Sequence, residues 1–360
     1  MQTVQSEQVP LTIRSIVFIS LIVCIPALIV ALRSEYTGID TIRYIHILEE
    51  PKEILIYRMK TSGELLYWNL CLIFQEYGDV RTFFFLLAFV PLFFCYATFY
   101  KVNLIYSPFF SSFIFLLYFY HEFFNATRQM PAVALVFYSY TFILSRKFIP
   151  FLICIVIASS FHSTAIAALP LYFLYSRKLM NSWDYFKKMF FIILGFCCFS
   201  FIFRYLLSFE TFSHYNVYEN MMHQVSFGQS LLNFFINYFP MVFILFFFSM
   251  SVKFSSEEAK RLFHFLWLVT VCFCLILLFR FVNNWMFRIG FYYQLGEILL
   301  MSKICSANNN FQTNKSLMNY SFSFSTICVL LLALLSFVMF NINYFDVSPF
   351  INFSLMEFTP

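Results

Sequence analysis

Arg128 stands in the stretch Asn125-Ala126-Thr127-Arg128-Gln129-Met130-Pro131, where a long apolar run begins. Asn125 is a helix-capping residue type and Pro131 suits a first helical turn, so the pattern predicts a helix whose N-terminus carries Arg128. A cation there opposes the helix dipole by about 0.3–1 kcal/mol. Arginine beside free backbone N–H groups makes an anion site instead; the plainer alternative is a side chain that snorkels to headgroups or pairs with Glu122. Arg288 repeats the arrangement, following Asn283-Asn284-Trp285 at the start of another apolar run. One shared anionic ligand explains two dipole-opposed arginines better than two accidents do. Arg280, Arg33 and Arg204 fall at the C-terminal ends of apolar runs, where the dipole tolerates a cation without any ligand.

Three further residues have types suited to proton transfer or hydrogen bonding. His162, in Phe161-His162-Ser163-Thr164, lies at the junction of two short apolar segments, where histidine can serve as a general base or as a structural residue. Asp40 follows Gly38, which permits a turn, and is spaced to pair with Arg43. Glu64 follows Gly63 at the start of an amphipathic stretch over 64–77. Taken alone, these carboxylates are ordinary loop residues. The chain has no phosphate-binding glycine loop, no HExxH, no CxxC pair and no DxD motif, which disfavours ATP coupling and metal-dependent use of nucleotide sugars.

The elements that must position these residues are apolar helices. The chain of 360 residues is 61% hydrophobic and only 11% charged, where a soluble domain carries roughly 25% charged residues. Its runs do not alternate as barrel strands do, so the expected fold is an all-α polytopic transmembrane bundle in one domain over 1–360. We count about eleven spans of the length that crosses a bilayer: 12–32, 80–100, 104–121, 127–145, 148–161, 163–176, 187–208, 231–251, 261–282, 285–301 and 320–341. The pair 148–161 and 163–176 is short, either two tilted helices or one segment broken at Phe161-His162-Ser163. The first run is too long for a signal-peptide core and reads as an uncleaved span.

With the N-terminus in the cytoplasm, thirteen of the 23 Lys and Arg residues fall on the inward side: Arg14, Lys101, Lys188 and the ten in the loops at about 146–147, 177–187, 252–261 and 302–319, among them Arg146, Lys147, Lys260 and Lys303. Two long segments, about 33–79 and 209–230, then face outward, together with Arg128, His162, Arg280 and Arg288. Long segments of this kind are commonly functional, and the mixture of charges with Tyr36, Tyr44, Tyr57, Tyr67 and Trp68 favours ordered structure. The net charge of +5 follows from the inward loops and does not indicate nucleic acid. Nearly all of the ten cysteines lie in apolar segments, where packing explains them.

Arg33…Gly38-Ile39-Asp40…Tyr44 resembles the R…G-x-D…Y segment of EpsG-like exopolysaccharide polymerases, grouped with the Wzy-type O-antigen polymerases. Asn125-Ala126-Thr127-Arg128-Gln129-Met130-Pro131-Ala132 is similar to that family's N-x-x-R-Q-x-x-A helix start, with Pro131 in place of an aliphatic residue. Phe161-His162-Ser163-Thr164-Ala165 followed by Leu169-Pro170-Leu171-Tyr172 resembles its F-H-x-S/T-A…P-x-Y segment, and Arg288 with Tyr292 its late R…Y element; the region around Glu64 matches only partly. The resemblance runs from about residue 30 to 300.

It implies an inner-membrane glycosyltransferase that joins oligosaccharide repeat units carried on undecaprenyl diphosphate into O-antigen or a related surface polysaccharide, on the periplasmic face. Arg128 and Arg288 would then hold the anionic diphosphate, and Asp40 or His162 would orient or deprotonate the acceptor hydroxyl. Arg33, Tyr44, Glu64, Arg280 and Tyr292 are the expected substrate-binding residues. A flippase and a chain-length regulator of the same pathway are the expected partners. No cofactor or metal is expected, because arginine supplies the positive charge. The competing readings are a flippase for the lipid-linked glycan and a membrane-embedded glycan acyltransferase. A flippase needs basic groups along a path through the core, and the mid-membrane core is almost uncharged here. An acyltransferase needs a well-placed histidine and an acyl-donor route; His162 could supply the first, and nothing in the sequence supports the second.

Overall fold

The computed structural model describes residues 9–35, 37–38, 40–102, 108–176, 178–206, 226–250, 252, 254, 256–279, 286–308 and 324–343. The regular elements among them are helices, with no strand. Helix α1 (Ile13–Ala31) opens on a reciprocal cap, in which the Ser15 N–H meets Thr12 Oγ1 at 3.2 Å and the Thr12 N–H meets Ser15 Oγ at 2.8 Å. Its buried residues Ile19, Val23, Ala27 and Val30 recur every three or four positions and form one stripe. The opposite face leaves Ile13, Leu21 and Ile25 at 81%, 68% and 67% exposure. Each such side chain would cost about 1.5–3 kcal/mol in water relative to burial, so this face belongs against lipid.

Helices α1, α5 (Val80–Lys101) and α14 (Glu257–Leu278) are long and apolar enough to cross a membrane; the bent pair α12 (Phe227–Asn237) and α13 (Phe239–Ser249), which turns by 48°, makes a fourth if taken as one span. Shorter apolar helices include α8 (Met130–Leu144) and α9 (Phe148–Phe161). The chain is therefore an all-helical membrane protein, and a count near eleven is finer than these helices establish.

The chain divides into two compact units. In the first, Met1–Tyr172 with Leu330–Pro360, α1 packs on α5, α5 on α8, and α8 on α9. The long segment after α1 is itself helical: α2 (Thr41–Glu49), α3 (Lys52–Ser62) and α4 (Leu65–Tyr77), with α4 lying against α9. A cluster of Tyr44, Leu55, Tyr67, Trp68, Cys71, Phe83 and Phe84, joined by Phe161, seals these short helices onto the long ones. Between α5 and α8 come α6 (Pro108–Tyr118) and α7 (Glu122–Asn125). Beyond α9 the chain continues as a 3₁₀ turn at Ser163–Ala168 and a short helix, α10 (Leu171–Leu174).

In the second unit, Phe173–Val329, α14 packs along α15 (Met286–Asn308), with α11 (Ser182–Leu206), α12 and α13 beside them. Helix α16 (Phe324–Asn343) spans the division. Most of the expected outward segment at 209–230 lies outside the described residues, as does the polar stretch after Asn308 up to 323.

Candidate active site

Glu64 owes its position to a helix reversal. Helix α3 ends at Gly63, whose φ of +70° is the left-handed conformation that glycine takes at helix ends. The chain then turns directly into α4. Glu64 occupies the cap position of α4 but makes no side-chain cap bond; its carboxylate crosses to α9 instead. Ser62 steadies the reversal, its Oγ accepting from Trp68 Nε1 at 2.7 Å and from the Glu64 N–H at 3.3 Å.

The carboxylate of Glu64, with only 3% of the residue exposed, is met from several directions. Oε1 lies 2.8 Å from His162 Nδ1, accepts the Ser163 N–H at 3.1 Å, and is 3.4 Å from Ser163 Oγ. Oε2 lies 3.5 Å from Arg128 Nη1. Burial by itself would raise the Glu64 carboxyl above its ordinary range. The Arg128 charge, the His162 contact and the Ser163 N–H more than offset that and hold it at about 2. Glu64 is an anion at any physiological pH.

His162 sits where α9 stops. Its N–H still closes the helix onto Ala158 O at 2.9 Å, but its extended backbone (φ −151°, ψ 115°) breaks the run, and the 3₁₀ turn begins at Ser163. The break frees the Ser163 N–H for Glu64. Because an ionised carboxylate only accepts, Nδ1 donates, and in the neutral ring the basic lone pair is at Nε2. Fixing one nitrogen to define the other is the usual way a protein sets histidine chemistry.

Arg128 lies in the turn before α8, not inside the helix. Asn125 does not cap α8; it ends α7, and Gln129 takes the cap position. The reason is local: the N–H groups of Gln129 and Met130 both bond Ala126 O, at 2.8 and 3.2 Å, so the chain first closes a tight turn. Pro131 then falls in the opening turn, where its missing N–H costs nothing. The Arg128 guanidinium lies 5.4 Å from the Tyr67 ring and 6.0 Å from the Trp68 ring. Its side chain is 24% exposed, against 5% for Glu64, so the arginine opens to the surroundings and the carboxylate is enclosed.

Arg33 follows α1 and is completely enclosed, with its guanidinium 4.1 Å over Phe84 and bonded to Phe123 O and Thr127 Oγ1. Tyr44 is buried on α2, and its hydroxyl oxygen accepts the Arg128 N–H at 3.4 Å. Asp40 occupies the cap position of α2 without a side-chain cap bond. The fold thus brings Arg33, Tyr44, Glu64, Arg128 and His162 together in the first unit. Arg288, third in α15, and the fully buried Tyr292 belong to the second unit, and Arg280 lies outside the described residues.

Thr127, Ser163 and the pair Tyr67 and Trp68 enter the site in parts that sequence reasoning did not assign. Tyr67 and Trp68 are buried and face Arg128. Their spacing gives the only sequence-level signal, since residues three and four positions after Glu64 share its helix face.

Neither a curated protein nor a solved structure matches the chain. A family model described as the EpsG family matches residues 16–354, a stretch that holds all of the helices above except the first turn of α1, and the chain therefore belongs to the EpsG family.

Proposed function

We propose that this membrane protein is a polysaccharide repeat-unit polymerase, and that Glu64, Arg128 and His162 form its reaction centre. The single observation that carries the reading is that one buried carboxylate binds both an arginine suited to a diphosphate and a histidine suited to a hydroxyl. EpsG-family membership supports a polysaccharide-polymerase-like membrane protein; the substrate and the chemistry are our reading.

The donor is a growing glycan on undecaprenyl diphosphate, and the acceptor is the terminal sugar hydroxyl of a fresh lipid-linked repeat unit. The acceptor oxygen attacks the anomeric carbon of the donor. The bond from that carbon to the diphosphate oxygen breaks, and the lipid diphosphate leaves with the electron pair. His162 Nε2 takes the hydroxyl proton and later returns it to solvent. Arg128 moves from Glu64 towards the diphosphate as charge develops there, an electrostatic contribution suited to a leaving anion. Glu64 keeps Nδ1 protonated and stabilises the imidazolium formed in the step. Asp40, at the start of α2 in the same unit, is a further candidate for contact with these substrates.

The reaction faces the periplasm in this account. The C-terminal ends of α1 and α9 and the starts of α5 and α8 lie on the Glu64 side, whereas at the other ends Lys101 closes α5 and Arg146 and Lys147 lie between α8 and α9. Basic residues mark the cytoplasmic side, which supports an outward site in the inner membrane. The discriminating experiment is the glycan profile of a deletion strain. A polymerase leaves single repeat units on the outside, and restoration of long chains by the wild type but not by Arg128→Ala supports the proposal. Single units trapped inside would instead indicate a flippase, and full chains lacking acyl groups an acyltransferase.

A further inference from the structure

Among the described residues Arg33 heads the large, fully enclosed side chains, and its surroundings do not resemble a substrate site. Its two terminal nitrogens are spent on one turn: Nη1 donates to Phe123 O and Nη2 to Thr127 Oγ1, each at 3.1 Å. Thr127 Oγ1 in turn donates to Phe123 O at 2.9 Å, closing a small ring of bonds beside Arg128. The chain after Arg33 grips the same turn. Gly38, at φ +89°, passes so close that a Cβ there would sit 2.1 Å from Phe124 O. Thr41 Oγ1 reaches Phe124 O at 3.4 Å, and Tyr44 accepts the Arg128 N–H. Apart from the Thr127–Phe123 bond, each of these contacts runs from residues 33–44 to residues 123–128.

We propose that Arg33, with Gly38 and Tyr44 behind it, is a positioning residue that templates the 123–128 turn and so aims Arg128 at Glu64 and at its ligand. The planar guanidinium meets the carbonyl with one nitrogen and the hydroxyl with the other, a fixed geometry that a lysine ammonium, a point charge with rotatable donors, does not impose. The enclosed guanidinium is costly to bury, and the cost is understandable if it fixes a backbone turn that packing alone would leave adjustable. Two loose sequence elements, the R…G-x-D…Y segment and the arginine-bearing turn before α8, thereby become one structural device. The consequence for activity rests on the proposed role of Arg128, but the positional claim does not.

The test is a set of double-mutant cycles read by thermal unfolding of the purified protein, with polymer length in complemented cells as a second readout. The loss in Tm on Arg128→Met is measured in the wild type and in Arg33→Lys, Thr127→Val and Thr127→Ser backgrounds. Positioning predicts a loss that shrinks by half or more in Arg33→Lys and Thr127→Val, because Arg128 is already misplaced. Thr127→Ser, which keeps the hydroxyl, leaves the loss intact. In cells, long chains fall about tenfold or more for Arg33→Lys and Thr127→Val, in line with the cost of small misplacements, and stay normal for Thr127→Ser. Should Arg33→Lys fail to accumulate, Thr127→Val against Thr127→Ser decides alone. Equal Tm losses in all backgrounds overturn the proposal. Coupled Tm losses with normal chains from Arg128→Met uphold the positioning claim and overturn the polymerase role of Arg128 instead.

Discussion

Glu64 holds its charge in an enclosed place because Arg128, His162 and the Ser163 N–H face it together. Glutamine at this position keeps the shape and one acceptor but loses the charge that faces Arg128 and the imidazolium formed at His162. We expect Glu64→Gln to lower long-chain synthesis on the order of a hundredfold or more, the scale of a lost acid–base partner, as read by glycan gels at matched protein levels. The stability effect has a definite sign with pH. A carboxyl held at about 2 in the folded protein and near the ordinary ~4.3 when unfolded adds stability above the unfolded value. That contribution fades as the pH falls from about 4 towards 2. The Tm gap between wild type and Glu64→Gln should therefore be full at neutral pH and narrow on acidification below about 4; a gap that stays constant to the acid limit would contradict the ion pair.

At the scale of elements, two glycines separate space from conformation. Gly63 is left-handed at the end of α3, but nothing lies within 4 Å of a Cβ built there, so Gly63→Ala costs only the conformational strain, roughly 1–2 kcal/mol. Gly38→Ala adds a collision with the Phe124 carbonyl to its own positive φ. Its Tm loss should be clearly larger, and it should carry the polymer defect that Gly63→Ala lacks or shows only weakly. Much of this level was readable in the sequence. The break at His162, the amphipathic element after Glu64 and the order within the 33–79 segment follow from residue types and periodicity. The pairing of Glu64 with His162 and Arg128 was not readable, because it joins residues 98 and 64 positions apart through the packing of α4 on α9. The cap of α8 was misread because Asn125 has the right side chain, while the tight turn on Ala126 O shifts the helix start to Met130.

For the molecule as a whole, the account requires one end of the first unit to face outward. Tyr57, 68% exposed on α3, lies in the segment on the Glu64 side, whereas Lys147 precedes α9 at the other. Cysteines introduced as Tyr57→Cys and Lys147→Cys should differ towards a membrane-impermeant maleimide added to spheroplasts. The first labels from outside and the second only after lysis; the reverse pattern would invert the orientation. The lipid-facing surface of α1, with Ile13, Leu21 and Ile25 outward, predicts extraction only by detergent and not by alkaline carbonate. The central claim concerns what the shared carboxylate site does, and reconstitution tests it most directly. Purified protein in proteoliposomes is supplied with a lipid-diphosphate-linked single repeat unit, and chain growth is followed on gels. The account predicts ladders from the wild type and unextended units from folded Arg128→Ala, Glu64→Gln and His162→Ala; wild-type ladders from all three variants would contradict it.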